Sequence, residues 1–171
     1  MRLIAFVPLL ALLALVVVSV VLLTREGERD RFTEGMVGQP APTYALARLG
    51  GGEMVTSDDR RGRAYVINLF ASWCTPCRAE HPQLMALRRQ GVDIVGVAYK
   101  DRPEASAAFL EELGNPFTDV ALDPDGRFGL EVGVTGVPET VVVGADGAIR
   151  AAYRGPLTEE AVRDVILPAL R

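Results

Sequence analysis

The sequence predicts an α/β fold: a strand–helix–strand unit, then a β-hairpin and a closing helix, with a short hairpin in front and a single transmembrane helix preceding everything. Three observations carry this prediction. Residues 64–70, Ala-Tyr-Val-Ile-Asn-Leu-Phe, form a nearly unbroken apolar run, as expected of a central strand buried on both faces. A segment of helical period and a second apolar run at residues 92–99 follow it. Between the first run and that helix stand the only two cysteines of the chain, Cys74 and Cys77, in Trp73-Cys74-Thr75-Pro76-Cys77.

The chain has 171 residues, enough for one domain of ordinary size and something extra. The extra lies at the front. Residues 3–23 contain no charge and are almost wholly Leu, Val, Ala and Ile, and about 20 such residues suffice to cross the bilayer hydrocarbon as a helix. A cleaved signal peptide carries a shorter apolar region and a small-x-small cleavage site, whereas Thr24-Arg25-Glu26-Gly27 follows here. An uncleaved signal anchor over residues 1–23 is the favoured reading and a cleaved signal the alternative. The flanking charges do not set the orientation. A short tail before a signal-like stretch ordinarily stays inside, which puts the domain on the exported, periplasmic side of an inner membrane.

Residues 24–36 are charged and poor in apolar side chains, a tether. The domain proper is expected from 37 to 171, entered through Gly38-Gln39-Pro40-Ala41-Pro42, whose prolines suit extended chain. Residues 44–49 and 53–56, joined by Gly50-Gly51-Gly52, read as the front hairpin. After the strand at 64–70, a helix over 76–90 has Leu84 and Leu87 on one side and Gly91 as its stop. A helix over 103–113 starts at Pro103 and ends at Gly114-Asn115-Pro116. Residues 117–122 read as a short strand, 123–126 (Asp-Pro-Asp-Gly) as a turn and 127–132 as a brief helix. Strands at 140–143 and 148–153 flank Gly144-Ala145-Asp146-Gly147, a hairpin signal. Thr158 caps a last helix through Leu170, with Glu159 and Glu160 in its first turn, where acids are favoured.

Composition narrows the function. The formal charge of −4 becomes −5 once the apolar span and its Arg2 are set aside, and no basic stripe exists, so nucleic acid is not an expected partner. Two cysteines cannot build a four-thiolate zinc site or a disulfide-stapled small domain. Cys74, Cys77 and His81, the only histidine, are one ligand short of a closed tetrahedral site, so no metal is expected and His81 is expected on a solvent-facing helix surface.

The cysteine pair fits redox chemistry. A Cys-x-x-Cys beside a βαβ pattern reads as a thioredoxin-like motif, and the order of elements is the thioredoxin arrangement. The attacking species is the thiolate, yet a free cysteine has a pKa of about 8.5. Cys74 sits where strand meets helix, where unpaired N–H groups and the helix dipole favour negative sulfur. Cys77, one turn in, is expected to be more buried and to resolve the mixed disulfide that Cys74 forms. Pro76 suits the opening turn because its missing N–H has no partner to lose. Trp73 is expected to shield the pair and offer an apolar contact. A static disulfide is the competing reading, but so small a loop constrains little chain entropy.

Pro138, in Gly136-Val137-Pro138-Glu139-Thr140, stands just before a strand. Alone it reads as an ordinary trans turn proline. In a thioredoxin-like fold it is cis, packs beside the cysteines and presents the backbone of Val137 to a partner's extended segment. Asn68 lies in the central strand where thioredoxin has an aspartate that moves the proton of the buried cysteine. Glu80 or Glu139 must then supply that function. Alone, Glu80 reads as part of a solvated helix face, and Glu139 equally well as a loop carboxylate. Nearby carboxylates would raise the pKa of Cys74 and Arg78 would lower it.

The run from Trp73 to His81 (Trp-Cys-Thr-Pro-Cys-Arg-Ala-Glu-His), with Gly133-Val134-Thr135-Gly136-Val137-Pro138-Glu139-Thr140, closely resembles the DsbE/CcmG family, membrane-anchored thiol:disulfide interchange proteins of bacterial cytochrome c maturation. The Gly-Val-x-Gly-x-Pro-Glu-Thr segment is the discriminating part, and the resemblance extends over essentially the whole chain. It implies a periplasmic reductant that keeps the cysteines of apocytochrome c, or of an assembly partner, reduced for haem attachment. Electrons would come from a membrane thiol reductase of the DsbD or CcdA type. No cofactor beyond the Cys74–Cys77 disulfide is implied, and the family's acidic active site maps onto Glu80 and Glu139. Rival readings are a general periplasmic reductase of the TlpA or ResA type, a copper-delivering module, and a redox-silent assembly scaffold.

Overall fold

In a computed structural model, residues 12–20 and 34–171 are described. Residues 12–20 are helical, with every side chain exposed. Among the described residues no helix is long and apolar enough to cross a membrane. The remainder of the anchor expected over 1–23, and residues 24–33 of the tether expected over 24–36, lie outside the described residues, whereas Glu34–Met36 form a single 3-10 turn and Met36 packs against the core.

The unit Thr33–Arg171 is built on a five-stranded sheet in the order β5-β4-β3-β6-β7. Its central strand β3 (Tyr65–Phe70) runs parallel to β4 (Ile94–Tyr99), and β4 parallel to β5 (Asp119–Asp123). On the other side β3 is antiparallel to β6 (Glu139–Val143), and β6 to β7 (Ile149–Arg154). The crossover helices are α1 (Thr75–Arg89) and α2 (Pro103–Leu113). A short α3 (Arg127–Val132) follows β5. The last helix, α4, runs through Glu159–Ala161, Val162–Ile166 and Leu167–Ala169, its middle wound as a π-helix.

The apolar run of β3 divides by the period of two. Val66 and Phe70 pack with Leu84 and Leu87 of α1, Phe109 and Leu110 of α2, and Val162 and Ile166 of α4. Tyr65, Ile67 and Leu69 pack on the opposite side with Tyr44, Val55, Phe128 and Val132. Both faces are covered, which is why the strand lacks a polar alternation.

The region around β5 differs from expectation. The strand expected at 117–122 forms two residues later. Phe117 instead turns into the core and stacks on Phe70 with ring centroids 4.9 Å apart, filling the space above Gly96 that a side chain would occupy. Asp123 belongs to β5, and its carboxylate accepts from Phe128 N (3.2 Å) and Gly129 N (2.9 Å), fastening the start of α3.

The N-terminal extension does more than add a hairpin. Strands β1 (Ala45–Leu46) and β2 (Val55–Thr56) pair antiparallel, shorter than expected. The chain beyond β1 then pairs with the outer edge of β5, through Leu49 N to Val120 O and Leu122 N to Ala47 O. Before β1, Gly38 and Gln39 pair with Ile149 at the start of β7. The extension therefore covers parts of both edges of the sheet, the places where another chain could add a strand. Arg60, only 3% exposed, pins it further by ion pairs to Asp119 and Asp93, and Arg48 joins Asp119 as well.

A Cβ on Gly96 would fall 2.5 Å from the Phe117 ring, which Phe70 holds in place. Gly96→Ala should cost about 1–3 kcal/mol, read as a lower midpoint of chemical denaturation with an unchanged slope.

Candidate active site

The turn from β3 into α1 carries the cysteines. Cys74 is the N-cap of α1, extended at φ −90° and ψ 104°, and its Sγ accepts the Cys77 N–H at 3.1 Å. Pro76 lies in the first turn, where an N–H would have no intrahelical acceptor. The helix thus places a sulfur where a capping oxygen ordinarily sits, facing the unpaired N–H groups and the positive end of the dipole. Cys74 and Cys77 are joined as a disulfide with Cα atoms 5.3 Å apart. Both residues are buried, at 4% and 2% exposure, so the contrast expected between them is slight.

Trp73 stands at the outer side of the turn. Its side chain stands 59% exposed, and its indole N–H donates to Lys100 O at 3.3 Å. Thr75 and Pro76 are also exposed, so the outer rim of the site is Trp73, Thr75 and Pro76. Arg78 is committed elsewhere: its guanidinium grips Glu112 at 2.6 and 3.0 Å and lies over the Phe109 ring.

The Val137–Pro138 peptide is cis. Glu139 is in register with Leu69, near the end of β3 that leads into the cysteine turn, so the sheet brings the Val137–Pro138 loop to the same end of the domain. Pro138 is buried, and Val137 is half-buried against the same core that contains both cysteines.

Glu80 is fully buried, not part of a solvated helix face. Its Oε1 accepts from Asn68 Nδ2 at 2.8 Å and its Oε2 from Leu157 N at 2.8 Å. Asn68 Nδ2 also donates to Thr140 Oγ1 at 3.0 Å. One carboxylate thereby links α1, β3 and the chain leading into α4. Burial pushes the Glu80 carboxyl up to about 7, although the Leu157 and Asn68 hydrogen bonds pull the other way. Glu139 is buried too. Burial raises its carboxyl, opposed by Arg154, whose Nε lies 3.3 Å from Oε1, and by a 3.4 Å bond from Thr135 N.

His81 is likewise buried rather than solvent-facing. Its Nε2 meets Gly114 O at 2.9 Å and its ring packs edge-on against Phe109, and burial lowers its pKa. A signal for both corrections was present in the sequence. Glu80 and His81 lie four and three residues before Leu84, and Cys77 lies seven before it, so all share the apolar face of α1. Among the described residues no cluster of His, Cys, Asp and Glu could hold a metal ion.

Sequence reasoning missed Asp101. Its carboxylate accepts from Ser72 N (2.7 Å), Ser72 Oγ (2.9 Å), Ser106 Oγ (2.7 Å) and Arg102 N (2.9 Å). Burial works to raise this carboxyl, but those hydrogen bonds hold it below the usual range.

Comparison with known proteins places this geometry. Residues 36–166 match the family model described as Redoxin. The chain is 40% identical over 147 residues to the thiol:disulfide interchange protein HelX of Rhodobacter capsulatus, covering 85% of this chain and 84% of that one. It is 35% identical over 172 residues to the thiol:disulfide interchange protein DsbE of Escherichia coli K12, covering 98% and 93%. A crystal structure from Chlorobium tepidum, described as a thiol:disulfide interchange protein DsbE, superposes with a TM-score of 0.68 at 30% identity, covering 79% of this chain and 98% of that one.

The Glu80 carboxyl takes up its proton near pH 7 when folded and near 4.5 when unfolded. Between those values the folded state holds the extra proton, so stability falls as pH rises, by at most about 1.4 kcal/mol per pH unit. Chemical denaturation from pH 4.5 to 7.5 should show that decline, and Glu80→Gln should flatten it.

Proposed function

The chain belongs to the redoxin family, among the thiol:disulfide interchange proteins of the DsbE type, and from that premise we propose that it is the membrane-anchored, periplasmic reductant of cytochrome c maturation. It is a thiol–disulfide oxidoreductase. The observation that carries the reading is the sulfur of Cys74 at the N-cap of α1, accepting the Cys77 N–H at 3.1 Å. A thiolate keeps that bond and gains from the dipole.

In the proposed cycle the Cys74 thiolate attacks one sulfur of a client disulfide. The client's S–S bond breaks, its departing sulfur takes a proton, and a mixed disulfide forms. Cys77 gives up its proton and attacks Cys74 Sγ, expelling the client's second sulfur, which is protonated in turn. The client gains two electrons and two protons, and the enzyme is left as the Cys74–Cys77 disulfide. Glu80 is three residues past Cys77 on the same helix face and titrates near neutral pH, which suits it to receive the Cys77 proton. Val137, ahead of the cis Pro138, offers backbone to the client's extended segment.

The client is apocytochrome c or a cytochrome c assembly protein, and a membrane thiol reductase of the DsbD or CcdA type returns the electrons. Support comes from the Gly133–Thr140 motif, the DsbE relatives over almost the full length, and the apolar stretch at residues 3–23, which suits an anchor that leaves the domain in the periplasm. An oxidising compartment makes such a donor necessary.

Cys77→Ser should accumulate a mixed disulfide through Cys74, visible on non-reducing gels and identifiable by mass spectrometry. Cys74→Ser should form none and should lower holocytochrome c, with added thiol restoring it. Recovery of only unrelated exported proteins from the trap would refute the cytochrome assignment while leaving the chemistry standing.

A further inference from the structure

We propose that Asp101 is a positioning residue for the nucleophile: through Ser72 it holds the turn that sets Cys74 Sγ at the N-cap of α1, and this hold matters most in the reduced enzyme. The inference rests on Cys74 being the attacking sulfur.

Two neighbouring residues of the β3–α1 turn are gripped by the corner between β4 and α2. Ser72 is bound twice by one carboxylate, through its backbone N–H at 2.7 Å and its hydroxyl at 2.9 Å. Trp73 is bound by its indole N–H to Lys100 O. The corner itself is built to present these acceptors. Lys100 adopts a left-handed backbone at φ 47°, rare for a residue with a side chain, and its N–H is fixed to Asp123 O at 2.9 Å. Asp101 is in turn oriented by the hydroxyl of Ser106, which is fully buried, at 2.7 Å and by Arg102 N at 2.9 Å. After Ser72 the chain has a single tight step, Cys74 N to Ala71 O at 3.2 Å, before the helix begins.

The redox argument follows from what each state retains. In the oxidised enzyme Cys74 is tied covalently to Cys77, so the turn has two independent restraints. Reduction removes the covalent one. The Cys74 side chain is then held at the helix entrance by its backbone and by the single hydrogen bond from Cys77 N, and that backbone is fixed from upstream by Asp101. Loosening the turn lets Sγ leave the N–H groups that stabilise its charge, which raises the thiolate pKa and slows attack at neutral pH.

The sign of the effect separates this role from plain electrostatics. Asp101→Asn is nearly isosteric and removes a negative charge from the neighbourhood of Cys74. Charge alone would lower the pKa of Cys74. Loss of the grip raises it, because a side-chain amide cannot accept on both sides. Glu80 and Arg78 on the helix of Cys74, and Glu139 from β6, stay as they are in this variant.

The test is the pH profile of alkylation at Cys74 in the reduced full-length protein, read peptide by peptide by mass spectrometry. In Asp101→Asn the midpoint should move up and the rate at pH 7 should fall about three- to tenfold, one pKa unit being a factor of ten in thiolate. Ser72→Ala, which removes only the hydroxyl and leaves the N–H bond, should shift the profile the same way by less, and circular dichroism confirms that both variants are folded. A midpoint that stays put or moves down in folded Asp101→Asn overturns the proposal. If instead neither sulfur of the unaltered protein reacts faster than an ordinary thiol, it is the assignment of Cys74 as nucleophile that fails.

Discussion

A sulfur at the N-cap of α1 is the constraint from which the rest of the domain can be understood. An N-cap residue must leave the sheet in an extended conformation and aim its side chain back at the first turn. Cys74 does this only if β3 ends at a fixed height and α1 starts in a fixed direction. Phe70 sets the height, stacked on Phe117 and packed near Phe109. The direction is set by the face of α1 that Leu84 and Leu87 press onto the sheet. The apolar core therefore determines a polar quantity, the distance from a sulfur to an N–H.

Beneath that cap lies an unusual concentration of buried polar groups. Glu80, Asn68, Thr140 and Glu139 are all essentially inaccessible, and three different strands and helices contribute them. Burying a carboxyl is costly unless it is hydrogen-bonded or protonated. Glu80 meets the cost both ways, accepting two hydrogen bonds and titrating near neutral pH. Asn68 is what makes this tolerable in the central strand. An aspartate there would set a second negative charge against Glu80, whereas the amide donates to Glu80 and to Thr140 through the same nitrogen. Asn68 and Glu80 are best regarded as one hydrogen-bonded unit, with the neutral amide on the strand and the ionisable carboxyl on the helix.

How much of this was legible in the sequence depends on the range of the interaction. The strand at 64–70 and the helix after it were readable because periodicity and burial are local. The cysteine turn was readable because Trp73, Pro76 and the cysteines are adjacent. The spacing of Glu80 and His81 from Leu84 puts them on the apolar face of α1, but ionisable residue types read as solvated there, because their partners Asn68, Leu157 and Gly114 lie far along the chain. Phe117 has the local pattern of a strand residue, because an aromatic next to a β-rich run carries no mark that it plugs the gap over Gly96. Asp101 had no mark at all. Its partner Ser72 is 29 positions away, and nothing in either segment announces that the two corners meet.

The N-terminal extension bears on where a client can approach. Residues 38–39 occupy the start of β7 and residues 47–49 the outer edge of β5, so the chain itself takes up backbone groups at which a foreign strand could pair indiscriminately. The end of the sheet that carries the cysteine turn and the Val137–Pro138 loop is not closed in this way. Trp73 stands exposed there, and the backbone before Pro138 is only half covered. The extension thus pairs with parts of both sheet edges, while among the described residues the end that carries the disulfide keeps exposed side chains and half-covered backbone.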